Sequence, residues 1–119
     1  MPFHIADVTG GNDSDAGIVV SGALDHEHSP RLRAHIDATI RAGRRQLVLD
    51  FSAVSLIDST GIGLLVGAAA KFNEIDGGSL AVACVSDNVN RIFQLTGLDS
   101  MISLHSSRDE ALSVFAPVG

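Results

Sequence analysis

The stretch from Gln46 to Ile75 constrains this chain more than any other. It opens on an apolar run, Leu47-Val48-Leu49-Asp50-Phe51, rich in large and β-branched residues and too short for a good helix. A short connection, Ser52-Ala53-Val54-Ser55-Leu56-Ile57, leads to Asp58-Ser59-Thr60-Gly61-Ile62-Gly63 and a long apolar segment from Leu64 to Ile75. The reading is a buried strand, a loop and a buried helix, with a hydroxyl pair at the turn.

Asp58 and Ser59 are both strong N-cap types, because their side-chain oxygens accept from the orphan N–H groups of a first turn. The helix after them is apolar nearly all round, through Ile62, Leu64, Leu65, Val66, Ala68, Ala69, Ala70 and Phe72. Such a helix is buried or crosses a membrane. Its uninterrupted apolar part is about a dozen residues, short of the ~20 that span a bilayer. Gly63 and Gly67 share one face, and each costs roughly 1 kcal/mol against alanine. Close approach of this helix to a sheet is the expected compensation. Ser59 is then expected at the positive end of a buried helix, displayed at the surface, where a phosphate can be carried without disturbing the fold. The same residues also suit plain capping, which is the commoner use.

The chain has 119 residues, a length that fits one domain, 1–119. Aromatics make up only 4% and Trp and Tyr are absent, so the core must be aliphatic. The net charge of -6 argues against nucleic acid, which needs a basic face, and suits a basic protein partner. Cys84 is the only cysteine and cannot form an internal disulfide; its neighbours Val82, Ala83 and Val85 mark a core strand. No basic segment followed by an apolar one forms a secretory signal, and a soluble, cytoplasmic protein is expected.

Phe3 to Val8 alternates and reads as a first, edge strand. Thr9 to Gly17 reads as a turn, and Ile18 to Leu24 as a second strand completing a hairpin. Gly22 marks a bulge or a close backbone contact. Asp25-His26-Glu27-His28 invites a metal reading. The histidines lie two apart with no second tract to complete a site, so a solvated loop is expected and no metal. Ser29-Pro30 starts a helix, with Ser29 as N-cap. Leu32, Ile36 and Ile40, supported by Ala34 and Thr39, form its apolar stripe, and Gly43 ends it. Beyond the central helix, Asp76-Gly77-Gly78 turns the chain into an apolar strand, Ser79 to Val85. Ser86-Asp87 caps a short helix with Val89, Ile92 and Phe93 inward, closed by Gly97. Met101 to Leu104 is a last short strand. Ser107 to Glu110 is a capping box for a terminal helix carrying Ala111, Leu112, Val114 and Phe115, ended by Pro117. The predicted order is β-β-α-β-α-β-α-β-α, an α/β fold with a mixed, mostly parallel sheet of four to five strands and about four helices. Burial is expected for Leu49, Phe51, Leu65, Val66, Val82 and Ile92.

Catalytic machinery is not evident. Gly61, Gly63 and Gly67 do not have dinucleotide-loop spacing, and neither a P-loop nor a G-x-S-x-G elbow occurs. Adjacent Asp58 and Ser59 cannot hold a histidine between them as a triad does. The chain has an acceptor hydroxyl in a conspicuous place and no machinery to use it. No catalytic residue and no cofactor is assigned, and no enzyme activity is expected.

Val48-Leu49-Asp50-Phe51 followed by Leu56-Ile57-Asp58-Ser59-Thr60-Gly61-Ile62-Gly63 closely resembles the signature of the bacterial anti-sigma factor antagonists, the STAS domain family. Gly22-Ala23-Leu24-Asp25, Gly77-Gly78 and Arg91-Ile92-Phe93-Gln94-Leu95-Thr96-Gly97-Leu98 extend the resemblance over nearly the whole chain. Ala23 stands where many members carry Glu. The resemblance implies a partner-switching regulator. Its unphosphorylated form binds an anti-sigma factor, a GHKL-type ATPase and serine kinase, and so frees the sigma factor. Phosphorylation of the matching serine, Ser59 and not Thr60, ends the binding, and a serine phosphatase restores it. Asp25, Asp58, Ser59, Thr60, Gly61 and Ile62 are the expected partner-binding residues, with no nucleic acid or membrane involved. The competing reading is an unswitched STAS module that senses a ligand or serves as a scaffold in a larger complex.

Overall fold

The computed structural model describes residues 2–8, 15–83 and 85–113. Their strands form one sheet in the order β1-β2-β3-β4-β5: β1 His4–Val8, β2 Asp15–Leu24, β3 Gln46–Ile57, β4 Ser79–Ala83 and β5 Ser103–His105. β1 runs antiparallel to β2, and every later neighbour is parallel. The helices are α1 Ser29–Arg41, α2 Ser59–Glu74, α3 Asp87–Thr96 and α4 Arg108–Ser113, with a 3-10 turn at Leu98–Ser100. The expected alternation of strand and helix is therefore present.

Side chains alternate across β3, the central strand. Leu47, Leu49 and Phe51 enter the main core with Leu32 and Ile36 of α1, Leu65, Ala69 and Phe72 of α2, and Val89 and Phe93 of α3. Val48 turns the other way and packs with Ala81, Ala83 and Ala111, under α4. Asp50 shares that second face, and the Arg108 guanidinium of α4 pairs with it at 3.1 Å. The two faces of one strand thus hold the helices of two layers.

Several boundaries differ from expectation. The segment Ser52 to Ile57, read as a connection, continues β3 and pairs with β2. Its exposure is mixed because the register slips there: Gly22 faces Val54 and Ala23 faces Leu56, so Ser55 is an extra residue. The bulge leaves Leu56 47% exposed and sends Ile57 inward. Gly22 has φ +95°, and a Cβ on it would lie 3.0 Å from the Phe3 Cα, so it marks both a slip and a close contact. Asp15 to Gly17 belong to β2 rather than to the turn, and residues 9–14 of that turn lie outside the described residues. β4 stops at Ala83; Cys84 lies outside the described residues. Met101 and Ile102 precede β5 instead of opening it. Val114, Phe115 and Pro117 also lie outside.

Ser29 is the first residue of α1, not its cap; the N-cap is His28, and no side chain caps that helix. Ala34 faces solvent instead of supporting the stripe of Leu32 and Ile36. Ser86 caps α3 as expected, accepting from the Val89 N–H at 3.3 Å, and Gly97 closes it at φ +79°. Of the residues expected in the core, Leu49, Phe51, Leu65 and Val82 are fully buried, Ile92 is half-buried, and Val66 is 39% exposed.

The largest correction concerns α2. It is covered on one side only: Leu64, Leu65, Ala68, Ala69 and Phe72 are buried, whereas Gly63, Val66, Gly67 and Ala70 are exposed. A Cβ on Gly63 or Gly67 would meet nothing within 4 Å, so neither glycine serves close packing on the sheet. Gly61 does. A Cβ there would lie 2.5 Å from the Leu24 carbonyl oxygen and 2.9 Å from Ile57 Cγ2.

Candidate functional site

β2 and β3 are adjacent and parallel, and their last residues, Leu24 and Ile57, are register partners. The chain therefore delivers Asp25 and Asp58 to the same edge of the sheet, as geometry requires of two parallel strands ending together. The Asp58 N–H donates to the Leu24 carbonyl at 3.2 Å.

Asp58 is the N-cap of α2, and its carboxylate works in two directions. Oδ1 accepts from the Gly61 N–H at 3.0 Å, satisfying one orphan donor of the first turn. Oδ2 accepts from the His26 N–H at 3.0 Å, tying the β2–α1 loop to the helix start. Replacing Asp58 by alanine removes both bonds. We expect a loss of about 1–2 kcal/mol in denaturant melts, the upper range for a lost cap; a loss below about 0.5 kcal/mol would show that the tie carries no weight.

Asp25 organises its own loop. Its Oδ1 accepts from the N–H groups of Glu27 at 3.1 Å and His28 at 3.0 Å, and lies 2.9 Å from His28 Nδ1. Partial desolvation works to raise the Asp25 pKa, but these N–H groups and the His28 charge outweigh it and hold the carboxyl below its ordinary value. The His28 ring also meets the Ala23 carbonyl at 3.1 Å and stacks on Phe3 at 4.7 Å between centroids. Arg31 lies over Phe3, 5.2 Å from its centroid. Asp25, Glu27 and His28 each offer a ligand atom within 4.8 Å of one another. Asp25 and His28 spend theirs on each other, and the Glu27 side chain stands in solvent.

On this framework Ser59 and Thr60 are the first two residues of α2, and both are exposed. Ile62 is half-buried. Gly61 is buried beneath Leu24, so its part is to let the helix approach the strand ends. The structure thus brings Asp25, Asp58, Ser59, Thr60 and Ile62 to one end of the molecule. Leu56, just before them on β3, adds an exposed apolar side chain that sequence reasoning passed over. The register with β2 slips twice before it, between Val19 and Ser21 and between Gly22 and Ala23, and serines in an apolar run give no signal of either slip.

A mixed sheet with helices on both faces, presenting a capped helix start beside a second loop, is the architecture of a small binding module. The chain belongs to the STAS domain family, which it matches over residues 9–111. It is similar to the anti-sigma-B factor antagonist of Staphylococcus aureus, at 32% identity over 77% of this chain and 84% of that one. Among solved structures it resembles an anti-sigma factor antagonist from Mycobacterium paratuberculosis, with TM-score 0.78 and 27% identity over 94% of each chain. It also shares its fold with the Bacillus cell fate determinant SpoIIAA in its phosphorylated form, with TM-score 0.70 and 24% identity over 94% of this chain and 97% of that one.

Proposed function

We propose that this chain is an anti-sigma factor antagonist: unphosphorylated, it binds an anti-sigma factor and frees a sigma factor, and phosphorylation of Ser59 ends that binding. The observation that carries the reading is the placement of Ser59. Its hydroxyl is exposed at the first position of a helix that Asp58 caps and the core anchors. The names of the relatives, and the phosphorylated form of a protein of the same fold, agree with it. In the same proposal the partner is a GHKL-type serine kinase, a serine phosphatase reverses the modification, and the chain works in the cytoplasm as one STAS domain without catalysis of its own. Among the described residues no helix is long and apolar enough to cross a membrane.

The physics of the switch is local. A phosphoserine adds roughly -1.5 to -2 charge, which the N-terminus of α2 tolerates. The fold therefore stays, and the added charge acts on whatever covers Asp25, Asp58 and Ser59. Two unit charges about 5 Å apart at an effective dielectric of about 20 repel by roughly 3 kcal/mol before salt screening. Weakening of binding by about one to two orders of magnitude follows. Ser59→Ala is expected to bind the kinase constitutively. Ser59→Asp is expected to bind weakly while melting at the wild-type temperature. Titration calorimetry against the anti-sigma factor, paired with thermal melts and phosphopeptide mapping, checks this. Label on Thr60, or a Ser59→Asp variant that loses binding only by unfolding, would overturn the switch.

A further inference from the structure

The loop between β2 and α1 carries Asp25, and its residues from Asp25 to His28 are exposed or half-buried. Hydrogen bonds in such a setting add little net stability, because water competes for both partners. The His28 ring is where this loop meets the core. It stacks on Phe3 with 4.7 Å between centroids and 9° between planes, within the range that aromatic pairs favour. Phe3 is 8% exposed and belongs to the main core. It precedes β1 and lies against the end of β2: a Cβ on Gly22 would be 3.0 Å from the Phe3 Cα and 3.2 Å from the Pro2 carbonyl oxygen. The Arg31 guanidinium, 5.2 Å from the ring centroid, adds a cation–π contact from α1. The stack fixes the plane of the His28 ring and with it the direction of Nδ1. That nitrogen lies 2.9 Å from Asp25 Oδ1 and 3.1 Å from the Ala23 carbonyl oxygen, two acceptors, and therefore carries the hydrogen.

We propose that Phe3 is a positioning residue for the partner surface: through the His28 ring it holds the loop that presents Asp25 beside Asp58. The inference rests on the reading of that end as the surface the anti-sigma factor covers. The path is short. Phe3 sets the His28 ring, and the ring meets Asp25 Oδ1. The same oxygen accepts from the Glu27 and His28 N–H groups, and the His26 N–H between them and Asp25 reaches Asp58 Oδ2 at 3.0 Å. Without the Phe3 ring, His28 loses the surface that orients it, and a loop with few apolar contacts opens at little cost. Phe3 is buried, so its effect on binding is indirect: an ordered loop loses less freedom when a partner covers it.

The test reads the loop on the free chain first, by magnetic resonance of isotope-labelled protein at a pH above the ordinary histidine range. In the wild type the His28 ring protons are expected upfield of those of the exposed His26, because the Phe3 ring shields them. Phe3→Leu keeps an apolar side chain and removes the stack. It is expected to return the His28 ring protons to the His26 positions and to shift the amide protons of His26, Glu27 and His28, whose acceptors are Asp58 and Asp25. Val82→Ala, a core change in β4, is expected to melt lower and leave these signals in place. His28→Ala is expected to disturb the same amides, and adding Phe3→Leu to it is expected to change them no further, since the path runs through the ring. Against the anti-sigma factor, Phe3→Leu and His28→Ala are each expected to weaken binding by about tenfold, and the double variant by no more than the larger of the two. A wild-type His28 ring without the upfield shift, amides unmoved in Phe3→Leu, or effects that add in the double variant would make Phe3 an ordinary core residue and overturn the proposal. A wild-type chain with the expected shifts and no affinity for the anti-sigma factor would overturn the function proposed above and still uphold the hold of Phe3 on the loop.

Discussion

Leu65→Ala is expected to lower the unfolding free energy by about 2–5 kcal/mol, the range for a buried leucine that leaves a cavity. Leu65 is fully buried, on the face of α2 that meets the sheet, in the same core as Phe51 and Phe72. The helix that carries Ser59 is held by that contact far more than by helix propensity. The expected signature is a lower denaturant midpoint with an unchanged slope. A loss under about 1 kcal/mol would mean that the core collapses around the gap and that α2 is not its centre.

Gly61→Ala is expected to be nearly as damaging. An added Cβ would press on the Leu24 carbonyl, which is backbone and is also the acceptor for the Asp58 N–H. Overpacking of this kind costs about 1–3 kcal/mol or more, against a gain of at most ~1 kcal/mol from helix propensity. A net loss of about 2 kcal/mol is expected, accompanied by displacement of the first turn of α2. Gly63→Ala and Gly67→Ala serve as controls. Their added Cβ atoms meet nothing within 4 Å, so each variant is expected to gain about 0.5–1 kcal/mol. Equal losses at Gly61, Gly63 and Gly67 would refute this division of roles. Should the two outer variants melt higher yet bind the anti-sigma factor less well, the exposed stripe they occupy is part of the covered surface.

What could be read in the sequence was what local chemistry dictates. The run Leu47 to Phe51 is buried on both faces because helices cover both faces, and its four apolar residues announce a central strand. Asp58, Ser86 and Gly97 are residue types with one strong local use each, and they lie at the helix ends they mark. What could not be read depends on partners distant in sequence. The residues of β3 from Ser52 to Leu56, of which only Val54 is buried, look like a loop until β2 is placed beside them. The glycines of α2 have equal propensity, and only the position of Leu24 separates Gly61 from Gly63 and Gly67. Val66 is exposed because α1 and the sheet reach only one side of α2, a fact of packing and not of hydropathy. The site was legible to the extent that Asp25 and Asp58 end neighbouring parallel strands.

The two oxygens of Asp58 have a kinetic consequence. One holds the start of α2 and the other holds the β2–α1 loop, so the two halves of the end surface are joined before any partner arrives. A surface ordered in advance loses little freedom when it is covered. Encounter then needs no folding step, and the association rate should stay within about one to three decades across variants of this surface. Under the proposed switch, a phosphate on Ser59 is expected to act chiefly on residence time, with the modified protein still meeting its partner and leaving it sooner. Asp58→Ala, by freeing the β2–α1 loop from the start of α2, is the change that should slow the encounter itself.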